Sequence, residues 1–315
     1  MKLAASDPVE PARGFASDRP SLKAEIAALM RDFSIEKTPG EVASLRALPA
    51  DLPAGSRVYI TWIHGNDFAL SLRAAVRLRE LGMQPVPHLA VRAMADANAL
   101  DAMLGALSRE AAVDRALLVA GSVRRPVGRF DSTLPALALG LFERHGWRDL
   151  GVAGHPEGSP DIAPARLAQA LREKNAFART SALRMHLVTQ FCFDAAVVVA
   201  WERQIRSAGN RLAVHVGLAG LASLPTLIKY ARSCGVGASV GALTRQAGRL
   251  FKLASAVTPG EIVTALAAAR RADAACLIER LHFFPFGSFD ATAAWAAAVA
   301  RGDFRLIHDD SDIAV

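Results

Sequence analysis

The chain has 315 residues, of which 52% are hydrophobic and 21% charged, with three cysteines and a formal net charge of +7. That much apolar sequence supports a substantial core and excludes a disordered protein, while no apolar run approaches the roughly 18 residues that cross a bilayer. The positive charge is mostly arginine, scattered over helical segments without a long basic run or an aromatic platform. That pattern argues for solvated helix faces and attraction of small anions, and against nucleic acid.

In chain order, residues 1–20 are polar and proline-containing, with no apolar stretch of the kind a secretory signal needs. They read as a flexible arm on a cytoplasmic protein, ahead of a single domain over residues 21–315. A short helix, Ser21–Asp32, comes first. Apolar, β-branched runs of strand length follow at Phe33–Lys37, Val58–Trp62, Val86–Val91 and Ala116–Ala120, then at Leu150–Gly154, Leu183–Thr189, Leu212–Leu218 and Ala275–Phe284. Helical patterns fall between them at Glu41–Leu48, Phe68–Leu81, Asp96–Glu110, Ser132–His145 and Ala163–Phe177. Others are Ala195–Ala208, Ser223–Cys234, Val240–Ala256 and Pro259–Ala272. Asp194 and Asp161 are placed to cap the helices after them, and Thr258-Pro-Gly-Glu261 reads as a helix start with Thr258 as cap. Cys192, Cys234 and Cys276 are far apart and in apolar contexts, so buried thiols in a reducing compartment are expected.

Eight strands alternating with helices predict an α/β chain folded as a single closed (β/α)8 (TIM) barrel with an extra N-terminal helix. The alternative, an open doubly wound sheet, would carry a glycine-rich turn after its first strand, and none follows Lys37.

In such a barrel the carboxyl ends of the strands converge on one face. They bring together Glu36, Thr61-Trp62, His88 with Arg92, Gly121-Ser122, His155 with Glu157 and Ser159, Gln190, Gly217–Gly220 and His282. Glu36 stands in an otherwise apolar strand, where burial of a carboxyl suits general-acid chemistry; the plain alternative is a buried ion pair with Arg92 or another barrel arginine. His88, His155, His215 and His282 come from different strands, as metal ligands do, but there is no His-x-His on the first strand and few partner carboxylates, so no metal is expected. Ser122 and Cys192 have no evident base beside them. Gly154–Asp161, ahead of a helix with Arg166, Arg172 and Lys174, could hold phosphates or be an ordinary βα loop.

Ser34-Ile-Glu36, Pro87-His-Leu89, Val119-Ala-Gly-Ser122, Ala153-Gly-His-Pro-Glu157, Thr189-Gln-Phe-Cys-Phe-Asp194, Val216-Gly-Leu-Ala-Gly220 and Leu281-His-Phe-Phe284 occur in this order. Together they resemble the methylenetetrahydrofolate reductase family over nearly the whole chain from about residue 30. The resemblance implies an FAD-dependent interconversion of 5,10-methylenetetrahydrofolate and 5-methyltetrahydrofolate in one-carbon metabolism, with NADH or NADPH as electron donor; a homo-oligomer is possible, and the sequence leaves the assembly state open. It gives Glu36 the role of general acid toward the folate and Gln190 that of hydrogen-bonding the pterin. Thr61, His88, Gly121, Phe130, Ala153, His155, Ser159 and Lys174 fall at cofactor positions, Lys174 toward the phosphates. Ser122 takes the place of an aspartate that in the family helps to position folate and tune the flavin. Ala120, Ser159, Ala219 and Pro285–Gly287 also depart from the family pattern. A non-catalytic folate- or flavin-binding relative is therefore the alternative to the enzyme, with a metal-dependent barrel hydrolase behind both.

Overall fold

The computed structural model describes residues 20–65, 67–234, 236 and 257–315. Eight parallel strands run in sequential order around a closed barrel. They are β1 (Ser34–Lys37), β2 (Arg57–Ile60), β3 (Gln84–Ala90), β4 (Arg115–Val119), β5 (Asp149–Gly154), β6 (Arg184–Cys192), β7 (Ala213–Ala219) and β8 (Ile278–Phe284). The barrel closes through β8 and β1, with Ser34 opposite His282 and Ile35 opposite Phe283. That closure excludes the open sheet.

Strands buried on both faces read as near-continuous apolar runs. Here Val58, Ile60, Leu118, Val152, Leu187, Val216 and Phe283 are buried in the main core, while Tyr59, Val86, Leu117 and Val188 form a separate cluster. Strand alternation makes the latter one apolar layer across the barrel interior. The helices are α1 (Leu22–Met30), α2 (Pro39–Ala43), α3 (Phe68–Glu80), α4 (Ala97–Ala111), α5 (Thr133–Leu137), α6 (Leu141–Arg144), α7 (Pro164–Ala178), α8 (Ala195–Ser207), α9 (Leu224–Ser233), α10 (Gly260–Ala272) and α11 (Phe289–Arg301). The extra helix α1, capped by Ser21, buries Ile26, Leu29 and Met30 against α10 and α11. Among the described residues no helix is long and apolar enough to cross a membrane.

Several local expectations are corrected. The helix after β1 stops at Ala43. The Ser132–His145 pattern is broken into α5 and α6 by Gly140, whose φ of +64° is left-handed backbone and interrupts the helical hydrogen bonds. α10 is not capped by Thr258: its cap is Pro259, with no side-chain bond, and Gly260 is packed so closely that a Cβ would stand 2.1 Å from Asp312 Oδ1. That aspartate belongs to a C-terminal hairpin, β9 (Arg305–Ile307) and β10 (Asp312–Ala314), which the pattern did not reveal. α7 is likewise not capped by Asp161 but entered through Ala163 and Pro164, whereas Asp194 does cap α8, accepting Ala196 N–H at 2.8 Å. Cys192 is buried as expected, but Cys276 is half-buried and Cys234 exposed. The arm 1–19 and the helical pattern Val240–Ala256 lie outside the described residues.

Candidate active site at the carboxyl ends of the strands

Glu36 is the penultimate residue of β1 and keeps only 13% of its side-chain surface open. It does not pair with Arg92, whose Nη2 donates to Arg124 O at 2.8 Å. Its neighbours are two histidines: His282 Nε2 stands 3.4 Å and His88 Nε2 3.7 Å from Glu36 Oε2. His282 is fully buried, and its other nitrogen, Nδ1, lies 2.9 Å from Ser34 Oγ. With Glu36 ionised, His282 donates Nε2–H to the carboxylate and accepts Ser34 Oγ–H at Nδ1, so the serine fixes the tautomer. This arrangement follows from strand register, because Ser34 and His282 are cross-strand partners and Glu36 is two residues beyond Ser34 on the same face.

Burial holds His88 down to about 4, and the neighbouring His282 pushes the same way against the pull of Glu36. A neutral imidazole therefore faces the carboxyl. His88 Nε2 is buried and makes no hydrogen bond among the described residues; the carboxylate it faces is that of Glu36. Tyr59 packs beneath both rings, with centroids 4.4 Å from His282 and 5.9 Å from His88, and burial raises its phenol above the usual range.

His88 also lines a cavity of about 340 Å³ that runs over β4, β5 and β6 and along the β5–α7 loop. Among the sequence candidates, Ala153, His155, Ser159 and Gln190 line it as well. Gln190 is brought there by an irregularity in β6, whose register with β7 shifts between Val188 and Phe191. Thr189 Oγ1 spans the gap, accepting Gly217 N–H at 2.8 Å and donating to Gln190 O at 2.8 Å. Gln190 Oε1 accepts Phe191 N–H at 3.1 Å, which identifies the amide oxygen and leaves Nε2 as the donor. Phe191 is the hub of an aromatic wall, 5.6 Å from Phe193, 5.5 Å from Phe284 and 4.9 Å from Phe286.

On α7, Arg166 and Arg172 are exposed and only Lys174 turns inward, 9% exposed. Its Nζ donates to Ala153 O at 3.4 Å, and burial lowers its ammonium to about 8. Burial and the charge of Lys174 hold His155 down to about 4.

Of the remaining candidates, Glu157 and Cys192 also border the cavity, whereas Glu36, Lys174, Thr61, Phe130, Gly121, Ser122 and His215 are not among its lining residues. Thr61 bonds Lys37 O through its backbone N–H. Phe130 is in the main core. Gly121, at φ +91°, passes so close to Ala90 that a Cβ would stand 2.8 Å from that methyl group, and Ser122 is exposed on the loop beyond it. His215 lies lower in the barrel, its ring stacked on His186 at 4.0 Å. The four histidines therefore do not converge, and among the described residues no group of three or more His, Cys, Asp or Glu could hold a metal ion. Burial pushes the Cys192 thiol up to about 12, which removes it as a nucleophile near neutral pH. A second cavity, beside Cys192 and Ala219, measures about 20 Å³ and has room for little more than a water.

No family model matches the chain. Among solved structures, it is similar to an uncharacterized protein from Clostridium thermocellum that binds two copies of 5-methyl-5,6,7,8-tetrahydrofolic acid. The TM-score is 0.55 at 12% identity, over 90% of this chain and 99% of that one. A weaker likeness, TM-score 0.44 at 11% identity, joins 95% of this chain to 53% of the carboxyl transferase domain of Rhizobium etli pyruvate carboxylase, solved with pyruvate. At 12% identity the first of these likenesses is one of fold alone.

The sequence supplied Glu36, His88 and Gln190, but gave Ser34 and Thr189 no part in the site. Their signal is positional: each is a small hydroxyl residue on a buried strand, Thr189 next to Gln190 and Ser34 two residues before Glu36 on the same face.

Proposed function

We propose that this barrel binds reduced folates and interconverts 5,10-methylenetetrahydrofolate and 5-methyltetrahydrofolate, with FAD as its resident cofactor and NADH or NADPH as electron donor. The observation that carries the reading is the Ser34–His282–Glu36 chain of contacts beside His88, at the edge of a cavity that also displays the Gln190 amide. The fold likeness to a barrel that binds 5-methyltetrahydrofolate points the same way.

Each residue has a physical task in this reaction. Glu36 gives a proton to the folate nitrogen as the five-membered ring opens, and takes it back in the reverse direction. His282, fixed by Ser34, holds the carboxyl in one orientation. The Gln190 Nε2–H group donates to the acceptor edge of the pterin, and the Phe191 wall keeps water from that side. The residues around β5 suit a flavin nucleotide. Lys174 is a nearly buried cation whose one hydrogen bond among the described residues is a long one to a carbonyl, and it would meet the phosphates, while Ala153, His155 and Ser159 would border the ring. Bound there, FAD supplies or accepts the hydride.

Anaerobic titration tests this. The purified protein, reconstituted with FAD, bleaches when 5-methyltetrahydrofolate is added. A protein that takes up no FAD, or a bound flavin that folate leaves oxidised, overturns the enzymatic reading. Ser122, exposed and outside the cavity lining, favours as second reading a folate-binding barrel without turnover. That reading predicts folate binding with no change in flavin spectrum.

A further inference from the structure

Between β4 and α5 the chain runs through an irregular segment, residues 120–132, fixed in place at several points. Arg92 N–H donates to Ala120 O at 3.0 Å, Val127 N–H to Arg92 O at 2.8 Å, and Arg92 Nη2 to Arg124 O at 2.8 Å. Gly128 lies flat on the preceding loop, where a Cβ would stand 1.7 Å from Ala95 O. Phe130 anchors the far end in the core.

So held, the segment exposes Arg124, Arg125 and Arg129. Among the described residues none of the three has a carboxylate at ion-pair distance. The nearby acids are engaged locally: Asp131 accepts Ser132 Oγ–H at 3.1 Å, and Asp96 caps α4 by accepting Ala99 N–H at 2.8 Å. Like charges gathered on a preorganised loop repel one another and attract a ligand that carries several negative charges. The segment also starts at the cavity. Val119 lines the cavity, and Gly121 lies under Trp62, 4.0 Å from its ring at the Cβ position.

We infer that residues 120–132 seat a run of carboxylates extending from the molecule in the cavity (the γ-glutamyl tail, where that molecule is a polyglutamylated folate), with Arg124, Arg125 and Arg129 as its partners. The inference rests on the folate reading above. Guanidinium forks match carboxylates in pairs, and since each exposed pair contributes little alone, several must act together.

Calorimetric titration with 5-methyltetrahydrofolate as monoglutamate and as pentaglutamate tests it, using the wild type and the R124Q/R125Q/R129Q variant. The pentaglutamate binds the wild type about tenfold more tightly, or about 1.4 kcal/mol. That gain shrinks as salt rises and vanishes in the variant, whose monoglutamate affinity is unchanged. Equal affinities in the wild type, or a gain that survives in the variant, overturn the inference and leave the folate reading standing. If the variant instead loses affinity for NADPH alone, the loop serves the donor and the inference fails. If neither folate binds the wild type, the folate reading itself fails, and the inference with it.

Discussion

Thr189 Oγ1 accepts the backbone N–H of Gly217 at 2.8 Å, and the place where a Gly217 side chain would stand is occupied by β6 itself, with Thr189 O 2.4 Å and Phe284 Cε2 2.8 Å from a Cβ built there. The hydroxyl supplies an acceptor where the ladder between β6 and β7 is broken, and the missing methyl group lets the two strands approach. The irregularity that carries Gln190 to the cavity depends on both residues.

Replacing Thr189 by Val, nearly isosteric, leaves the buried Gly217 N–H without its acceptor and costs about 1–3 kcal/mol of stability. Gly217→Ala costs about 1–3 kcal/mol through overpacking. Urea unfolding of each variant gives the number. The double variant is less destabilised than the sum of the singles, since both act on one feature; strict additivity would show that the two residues work independently.

Glu36→Gln removes the carboxyl that the proposed function uses as proton donor while keeping shape. Folate-dependent turnover falls by about 10²–10⁴, and reduction of the bound flavin by nicotinamide continues. Stopped-flow measurement of the two half-reactions separates these effects, and an equal loss in both contradicts the role given to Glu36.

Ser34→Ala acts on the same proton indirectly, through His282. The loss of one hydrogen bond, worth about 0.5–1.5 kcal/mol, lowers kcat about three- to tenfold with KM held. A change confined to KM would assign Ser34 to ligand binding instead of positioning.

Stability has a pH dependence whose sign follows from the buried histidines. His88 and His155 are held down to about 4 and His215 to about 3, burial being the main cause in each. Unfolded histidine titrates near 6.5, so between about pH 4 and 6.5 the unfolded chain binds more protons than the folded one. Their contribution is intact above about pH 6.5 and falls as pH drops, by up to about 1.4 kcal/mol per unit for each histidine. Asp149 and Glu279, whose carboxyls are held low, add their loss only below about pH 4. Unfolding free energies measured between about pH 7.5 and 5 should decline steadily, and His155→Gln should make the decline shallower. A flat profile would show that these imidazoles are not neutral in the fold.

Lys174 carries the opposite lesson for stability. Burial lowers it to about 8, so at neutral pH the fold holds a charged group against its preference. Lys174→Met, of similar length, removes that cost and stabilises by up to about 3 kcal/mol at about 1.4 kcal/mol per unit, while FAD retention weakens at least about tenfold if Lys174 meets the phosphates. Thermal melts and equilibrium dialysis read the two effects, and unchanged FAD affinity would move the phosphate site elsewhere.

Much of the barrel was legible because a strand buried on both faces leaves a run of apolar, β-branched residues, as at Val86–Val91 and Leu183–Thr189. What escaped was set by single backbone positions. Gly140 in left-handed backbone splits a helix whose apolar spacing continues across it. The C-terminal hairpin turns through His308, Asp309 and Asp310, all at positive φ, and its short strands carry too few residues for a period to register. In the site, strand position alone delivered Glu36, His88 and Gln190. Phe130, Gly121 and Ser122 belong to a loop whose course depends on contacts with Arg92 and Ala95, and no local pattern encodes those. The pairing of Ser34 with His282 spans nearly the full chain and becomes visible only when the barrel closes.

The apolar layer of Tyr59, Val86, Leu117 and Val188 separates Glu36 from the stacked His186 and His215 farther down the barrel. Tyr59 is the hydroxyl-bearing member of that layer: its ring packs against His282 with centroids 4.4 Å apart, and its phenol lies in the field of Asp149, which stands 3.0 Å from His186 Nδ1. In the reading proposed above, a charge gained or lost at the bottom of the barrel would be felt at Glu36 through this ring, as a change in field.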